Sequence, residues 1–236
     1  MAKSSRKDTG IKEKLKKVKY FIWDDDSLLS WLVNVVLAFV LVYFVIYPGL
    51  GLLLGTAHPV VAVVSGSMEH KTVHNCINYD YLSNRCVERD DTSYRLCGEY
   101  FEERHRVDFD FFWDTCGDWY KDYNITKEDF SDFPMRNGFN TGDIIVLRGS
   151  EPENIEIGDV IVFQASRNYP IIHRVVDKED RDGEIFFTTK GDHNDGIGPD
   201  DKNISQEQVI GKSFFRIPYL GWIKLGAHWL LHLFIP

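Results

Sequence analysis

The sequence predicts a mainly β protein: a small antiparallel, partly closed β fold with an N-terminal transmembrane helix and a disulfide-stapled insertion. Three features of the 236 residues carry this prediction: one long uncharged apolar run, a series of short strand-like segments, and the clustering of all four cysteines between them. A chain of this length holds one domain, or one with a satellite. The predicted parts are a basic N-terminus (1–27), a membrane anchor (28–55), a β domain in two pieces (56–74 and 138–217), a cysteine-bearing insertion (75–137) and an apolar C-terminal segment (218–236).

The apolar run at residues 28–55 contains no charged side chain. A helix that crosses a bilayer needs roughly 20 apolar residues, and this run has that length. Trp31 and Tyr47 fall where interfacial aromatic residues are expected, and Pro48-Gly49 would end or kink the helix near the far interface. A cleavable signal peptide has an apolar core of only about 7–15 residues, so we favour a retained anchor.

Charge is unevenly distributed along the chain. The net charge of -9 argues against a nucleic-acid partner, which requires basic surfaces. The first 27 residues are nevertheless rich in lysine. Because basic flanks stay on the inner side of a membrane, we expect a cytoplasmic N-terminus and place everything after residue 55 outside the cytoplasm.

The four cysteines, at positions 76, 86, 97 and 116, all lie in the insertion. Outside the cytoplasm they predict two disulfides, and four cysteines allow three pairings among which the sequence does not choose. A zinc site ranks lower because no Cys-x-x-Cys pair is present. The insertion is either a stabilising flap or a module that contacts substrate or partner. We expect it to lie outside the β core, whose geometry should survive its removal.

Short runs rich in Val, Ile, Phe and Thr predict the strands, with Gly, Asp and Pro between them. Asp182-Gly183 is the strongest hairpin signal among them. The predicted strands are 143–147, 159–163, 171–176, 184–189 and 209–217.

Ser67, His173 and Asp192 follow one another along the chain, each on or beside a predicted strand. A serine hydroxyl needs a base to become a nucleophile, histidine is suited to that role near neutral pH, and a carboxylate can orient the imidazole. Ser65 is a candidate oxyanion donor together with the Ser67 amide. Each residue alone is more often structural, so the pattern as a whole carries the hypothesis of a membrane-tethered serine hydrolase.

The strings around these residues resemble the type I signal peptidases, in their archaeal and endoplasmic-reticulum form. The resemblance covers residues 28 to about 225, apart from the insertion. The matching strings are Ser-Gly-Ser-Met-Glu at 65–69, Gly-Asp-Ile-Ile-Val at 142–146, Ile-His-Arg-Val-Val at 172–176 and Thr-Lys-Gly-Asp at 189–192.

The resemblance assigns roles to particular residues. It implies that Ser67 is the nucleophile, that His173 is the base where bacterial members use a lysine, and that Asp192 belongs to the site. A second aspartate orients the histidine in the family. The candidates here are Asp195, Asp200 and Asp201, of which we favour Asp200 because Gly198-Pro199 can redirect the chain before it.

Two departures from the family pattern stand out. The residue after Met68-Glu69 is commonly proline in the family, and here it is His70. The cysteine-bearing insertion begins shortly afterwards.

The resemblance implies a membrane-bound serine endopeptidase that removes signal peptides on the outer face of the membrane, without a cofactor. Its partners would be secretory and membrane-protein precursors, the lipid bilayer and, as a further candidate, the translocation channel. We expect an extended substrate to pair with an exposed strand edge at 60–64, with Val63 in the binding site. The alternatives are a catalytically inactive, membrane-anchored ectodomain that binds a partner and a self-cleaving repressor-like protease, which would carry a DNA-binding module.

Two further segments allow more than one interpretation. His193 with Asp192 and Asp195 has the donor types of a metal site but lacks ordered ligand spacing, so we predict none. The apolar segment 218–236 is short for a membrane crossing and fits an interfacial helix better, with a second span as the alternative.

Overall fold

The computed structural model describes residues 5–80, 85–165 and 169–222. The chain divides into two compact units, Met1–Leu53 and Leu54–Pro236, and each is described by itself. The predicted C-terminal interface helix lies outside the described residues from position 223 onward.

The N-terminal unit is helical. Its first helix, α1, ends before the Asp24–Asp26 turn, and the Ser27 side chain then caps the second helix by accepting a hydrogen bond from Ser30 N–H. Helical structure is continuous from Leu28 to Leu54, which is long and apolar enough to cross a membrane. The elements are α1 (Ser5–Trp23), α2 (Leu28–Leu41), a π-helical turn (Val42–Ile46) and α3 (Tyr47–Leu54).

The helix does not end at Pro48, because α3 continues to Leu54. Proline lacks an N–H and its ring crowds the carbonyl four residues earlier, here in the π-helical turn. In that turn the Tyr47 N–H bonds to the Val42 carbonyl, so the interruption of α-helical bonding falls just before the proline.

The second unit contains two antiparallel sheets. The larger has seven strands in the order β1-β5-β10-β6-β7-β8-β9, and the smaller has the order β2-β3-β4. The strands are β1 (Val60–Ala62), β2 (Val73–Asp80), β3 (Arg85–Leu96), β4 (Glu99–Phe101), β5 (Ile144–Arg148), β6 (Val160–Phe163), β7 (Ile171–Arg181), β8 (Glu184–Lys190), β9 (Ile204–Ser205) and β10 (Val209–Ile217).

The mainly β prediction is confirmed, with each predicted strand present in the seven-stranded sheet. Asp182-Gly183 forms the two-residue turn between β7 and β8, both residues with positive φ, as this hairpin type requires. Register shifts between Val175 and Asp177 and between Ser213 and Phe215 mark bulges, which increase strand bending and curl the sheet.

The insertion folds as the small sheet followed by two helices, α4 (Phe109–Lys121) and α5 (Lys127–Asp132). Two disulfides form, as predicted: Cys76–Cys86 joins β2 to β3, and Cys97–Cys116 ties the end of β3 to α4. The core of the insertion is mostly aromatic and includes one residue of the large sheet. Its buried members are Leu96, Phe112, Trp113, Cys116, Tyr120, Ile125, Phe130 and Val176.

Candidate active site

Ser67 lies in a tight turn directly after the edge strand β1. The Glu69 N–H donates to the Gly66 carbonyl and closes this turn. Met68 is buried in the sheet's core, and the buried Glu69 carboxylate accepts from the Thr141 N–H. Because the residues after the serine are anchored on both sides, its hydroxyl is held at the mouth of a cleft.

His173 lies in β7 on the other side of the same cleft, which has a volume of about 1060 Å³ and is lined by both residues. A Cβ placed on Gly191 would lie 2.8 Å from His173 Nε2 and 2.8 Å from the Ser67 carbonyl oxygen. Only glycine therefore leaves space for the serine turn and the imidazole to approach each other here.

The Ser67 hydroxyl forms its hydrogen bond with the Ser65 hydroxyl, at 3.3 Å between the oxygens. Within the described part of the chain, Ser67 and His173 form no direct hydrogen bond. Catalytic hydrogen bonds are commonly long without substrate and shorten when it binds, so this geometry is compatible with a nucleophile and its base.

The carboxylate that orients His173 is that of Asp201. Its Oδ1 accepts from His173 Nδ1 at 2.5 Å and from the Thr189 hydroxyl at 2.7 Å. Burial alone would raise the pKa of Asp201, but the hydrogen bond from His173 and the attraction between the two groups, together with Thr189, hold this pKa below its ordinary value. An ionised Asp201 fixes the tautomer with the proton on Nδ1 and leaves Nε2 as an acceptor facing the cleft.

This contact corrects the preference for Asp200. Gly198-Pro199 does redirect the chain, but the following residues form a 3₁₀ turn in which Asp201 Oδ2 accepts from the Gly198 N–H. The turn directs Asp201, its third residue, toward the imidazole, whereas the sequence favours Asp200, its second residue. Asp195 pairs with Arg95 at 2.5 Å and is largely exposed, so it lies outside this contact.

Asp192 is fully buried and binds a different set of groups. Its Oδ1 accepts from Arg174 Nε at 2.9 Å and from the Tyr120 hydroxyl at 3.0 Å. Its Oδ2 accepts from Arg174 Nη2 at 2.7 Å and from His70 Nε2 at 2.9 Å. Burial raises the pKa of Asp192, but the Arg174 charge and the hydrogen bonds from His70 and Arg174 outweigh it, and the pKa lies well below its ordinary value. The structure thus gives Asp192 no contact with His173 and corrects its predicted place beside the base.

Strand alternation explains why the two aspartates separate. Consecutive residues of a strand point to opposite faces. His173 therefore shares one face of the β7–β8 hairpin with Thr189, whereas Arg174 shares the other with its register partner Lys190. Asp201 binds the first face, and Asp192 binds the second.

Val63 lines the cleft, but its backbone groups already pair within the sheet. Its N–H donates to the Asp143 carbonyl and its carbonyl accepts from the Gly142 N–H, so both backbone groups face the sheet. Its side chain is buried in the core. The neighbouring residues Ala62 and Val64 carry the backbone groups that alternate toward the open edge.

Three residues of this arrangement were not singled out as site residues by sequence reasoning: His70, Arg174 and Thr189. Asp201 was among the candidates for the orienting carboxylate but was not the preferred one. Arg174 belongs to the Ile-His-Arg-Val-Val string at 172–176. Because it directly follows His173 in a strand, its side chain is expected on the opposite face of the sheet, which is the sequence signal for a separate carboxylate partner there. His193 Nδ1 donates to the Glu69 carbonyl at 3.1 Å. In the described residues, no group of three or more His, Cys, Asp or Glu side chains is arranged to hold a metal ion.

The chain is similar to named signal peptidases over part of its length. It is 32% identical over 98 residues to the human "Signal peptidase complex catalytic subunit SEC11C", a match that covers 39% of this chain and 51% of that protein. The "Signal peptidase complex catalytic subunit SEC11" of Colletotrichum graminicola is 30% identical over 98 residues, covering 39% and 57%. The "Signal peptidase I W" of Bacillus subtilis is 33% identical over 86 residues, covering 36% and 44%.

The chain spans about half the length of the curated relatives it matches. No protein-family profile matches it. The resemblance to type I signal peptidases expected from the motifs is confirmed by these relatives over the matched part of the chain.

Proposed function

We propose that this protein is a membrane-bound serine endopeptidase that removes signal peptides from secretory and membrane-protein precursors. The observation that carries the proposal is the hydrogen bond from His173 to Asp201, which leaves Nε2 facing a cleft that Ser67 also lines. The similarity to signal peptidases supplies the substrate class.

In this mechanism His173 Nε2 takes the proton from the Ser67 hydroxyl as its oxygen attacks the scissile carbonyl carbon. The negative charge that develops on the carbonyl oxygen is stabilised by the Ser67 N–H and the Ser65 hydroxyl, which lies 3.3 Å from the nucleophile oxygen. The imidazolium, stabilised by Asp201, then protonates the leaving amine. A water molecule, activated by the same histidine, releases the acyl group from Ser67.

The substrate would bind as an extended strand beside β1. This strand is an edge of the seven-stranded sheet, and its partner β5 lies on one side only. The outward backbone groups of Ala62 and Val64 can therefore pair with a peptide, which provides main-chain hydrogen bonds without reading side chains. These two residues take the role that the sequence analysis gave to Val63.

The helix Leu28–Leu54 is proposed to anchor the enzyme in the bilayer, with the lysine-rich N-terminus in the cytoplasm and the cleft outside. The similarity to signal peptidases suggests that cleavage takes place at the membrane surface, where the apolar part of a signal peptide would end. The translocation channel is the further partner that this location suggests.

The test is cleavage of a model secretory precursor by the full-length protein in detergent or nanodiscs. We expect Ser67→Ala to abolish cleavage while the protein stays folded and inserted, because the variant lacks the hydroxyl that attacks the scissile carbonyl in this mechanism. Undiminished turnover by Ser67→Ala would overturn the nucleophile. A wild-type protein that cleaves no precursor would instead favour the inactive ectodomain.

Asp201→Asn and Asp200→Asn form a matched pair for the orienting carboxylate. Loss of this group in a serine-histidine-aspartate triad costs about 10,000-fold in kcat. We expect a loss of that order for Asp201→Asn and a much milder one for Asp200→Asn. A dead Asp200→Asn beside an active Asp201→Asn would restore the assignment made from the sequence.

A further inference from the structure

His70, which stands where the family commonly has proline, contacts both the insertion and the catalytic domain. Its ring stacks on Phe112 of α4, with 3.6 Å between ring centres and 6° between planes. Its Nε2 lies 2.9 Å from Asp192. Burial lowers the pKa of His70, so the neutral imidazole donates this bond to the carboxylate. The departure at position 70 and the presence of the insertion are therefore physically linked.

The insertion also holds the segment that follows β8. The Cys97 N–H donates to the His193 carbonyl at 3.0 Å, and the Tyr120 hydroxyl donates to Asp192. The buried Lys190 ammonium lies 4.9 and 5.0 Å from the ring centres of Trp119 and Tyr120. Such a cation over two aromatic faces is an attractive contact that is strengthened by exclusion of water.

The Cys97–Cys116 disulfide holds these contacts in one arrangement. It joins Cys97, which bonds to the segment directly, to the helix that carries Trp119 and Tyr120. Arg95, just before it in β3, pairs with Asp195 further along the same segment. Residues 190–195 are thus held at several successive positions by groups of the insertion.

The same segment contacts the nucleophile turn and the base. The His193 N–H donates to the Ser67 carbonyl at 2.9 Å, and the Asp192 N–H lies 3.4 Å from Met68 Sδ. Gly191 fills the narrow space between that carbonyl and His173 Nε2. A shift of the segment would therefore move Ser67 relative to the imidazole.

We propose that the insertion positions the catalytic pair: Tyr120, His70 and the Cys97–Cys116 disulfide hold residues 190–195, which in turn set the distance between Ser67 and His173. This proposal is opposed to the expectation that the insertion can be removed without consequence for the site. The inference rests on the proposed peptidase function. Its residues are positioning residues, since none of them touches the reacting atoms.

Tyr120→Phe is the sharpest test, because it removes only the hydroxyl and keeps the ring over Lys190. A small misplacement of catalytic groups can cost on the order of 100-fold in rate, so we expect kcat on a model precursor to fall roughly 10–100-fold. KM should change less than kcat, because the strand edge at Ala62 and Val64 is unaltered. Tyr100→Phe, at an exposed tyrosine of the same insertion, is the matched control.

His70→Gln and His70→Ala separate positioning from packing. The glutamine amide can still donate to Asp192, whereas alanine cannot, so we expect glutamine to retain more of kcat. A melting temperature that falls with unchanged kcat in Tyr120→Phe and His70→Ala would show a merely structural role and overturn the proposal.

The disulfide is tested by comparing two double variants with dithiothreitol as reductant. Two-electron reduction converts each bridge into two thiols while dithiothreitol becomes a cyclic disulfide. We expect Cys97→Ser with Cys116→Ser to have a low kcat that dithiothreitol does not change. Cys76→Ser with Cys86→Ser should keep a kcat that falls on reduction, verified by mass mapping of the remaining bridge.

Equal kcat for the oxidised and reduced forms of the second variant would contradict the proposal. Failure of the underlying function has a different signature: wild-type protein would not cleave, or Ser67→Ala would cleave normally. The wild type could be active and depend on Ser67 while Tyr120→Phe and His70→Ala keep the wild-type kcat. That result would refute the positioning role alone.

Discussion

The two faces of the β7–β8 hairpin use the same strands for different purposes. On one face, His173 and Thr189 hold Asp201 beside an open cleft, and the core beneath is mostly aliphatic, with two phenylalanines. On the other, Arg174 and Lys190 are buried under the aromatic side chains of the insertion, around Asp192. Both aspartates are ionised and hydrogen-bonded to a cationic or imidazole partner.

The difference between the faces lies in what each carboxylate is free to do. Asp201 contacts one imidazole whose other nitrogen faces the cleft, so in the proposed mechanism it can stabilise the charge that appears there. Asp192 is already neutralised by the permanent charge of Arg174 and by two further donors, so it has no such change to respond to. Burial and ionisation alone therefore do not identify a catalytic carboxylate, whereas the partner does.

Asp192→Asn should have the largest effect on stability. It would leave the fully buried Arg174 without its counter-charge, and removing one partner of a buried ion pair costs about 3–5 kcal/mol. Denaturant unfolding of the detergent-solubilised protein measures this. Asp118→Asn is the control, since that carboxylate is 93% exposed and pairs with the exposed Lys121. A cost below about 1 kcal/mol would remove the distinction between the two faces.

Acid should lower the stability contributed by the hairpin face that packs on the insertion, and this loss should fall in a defined pH range. The pKa of Asp192 is lowered on folding, so its contribution to stability is fully present above its unfolded pKa of about 4 and is lost as the pH falls below that value. We expect the free energy of unfolding to drop by about 2–3 kcal/mol from this group between about pH 4 and pH 2. Asp192→Asn should show a shallower decline, and equal slopes in the two proteins would contradict the assignment.

Ile161→Val tests the hairpin face that carries His173. Of these substitutions it should have the smallest effect on stability. Ile161 is buried in the mostly aliphatic core and lies opposite His173 in the β6–β7 register. Removing one methyl group from a core costs about 0.5–1.5 kcal/mol. The protection of the α4 amides from hydrogen exchange, expressed relative to the free energy of global unfolding, should stay unchanged. If Ile161→Val lowered the free energy of unfolding more than Asp192→Asn does, the face that carries His173 would contribute more to stability than the face packed on the insertion, contrary to expectation.

Most strands of the large sheet were predictable, because their side chains and turns act locally. Asp182-Gly183 forms the expected hairpin, and the strand at 209–217 begins and ends where the pattern placed it. The insertion was predicted only as a disulfide-stapled unit, since its fold is stabilised by contacts between aromatic groups far apart in sequence. Cysteine content predicted two bridges, but their pairing depends on how β3 meets α4.

The sequence by itself determined the membrane-length helix, the antiparallel strands and the presence of Ser67 and His173 in strings typical of type I signal peptidases. These properties follow from apolar length, from alternation and from short motifs, each readable within a few residues. Only the tertiary structure decided which aspartate meets the imidazole. The sequence offers Asp195, Asp200 and Asp201 for that contact, with Asp200 preferred, and places Asp192 at the same site. The outcome depends on which face of the hairpin each loop returns to and on the Arg174 charge that already occupies one of those faces.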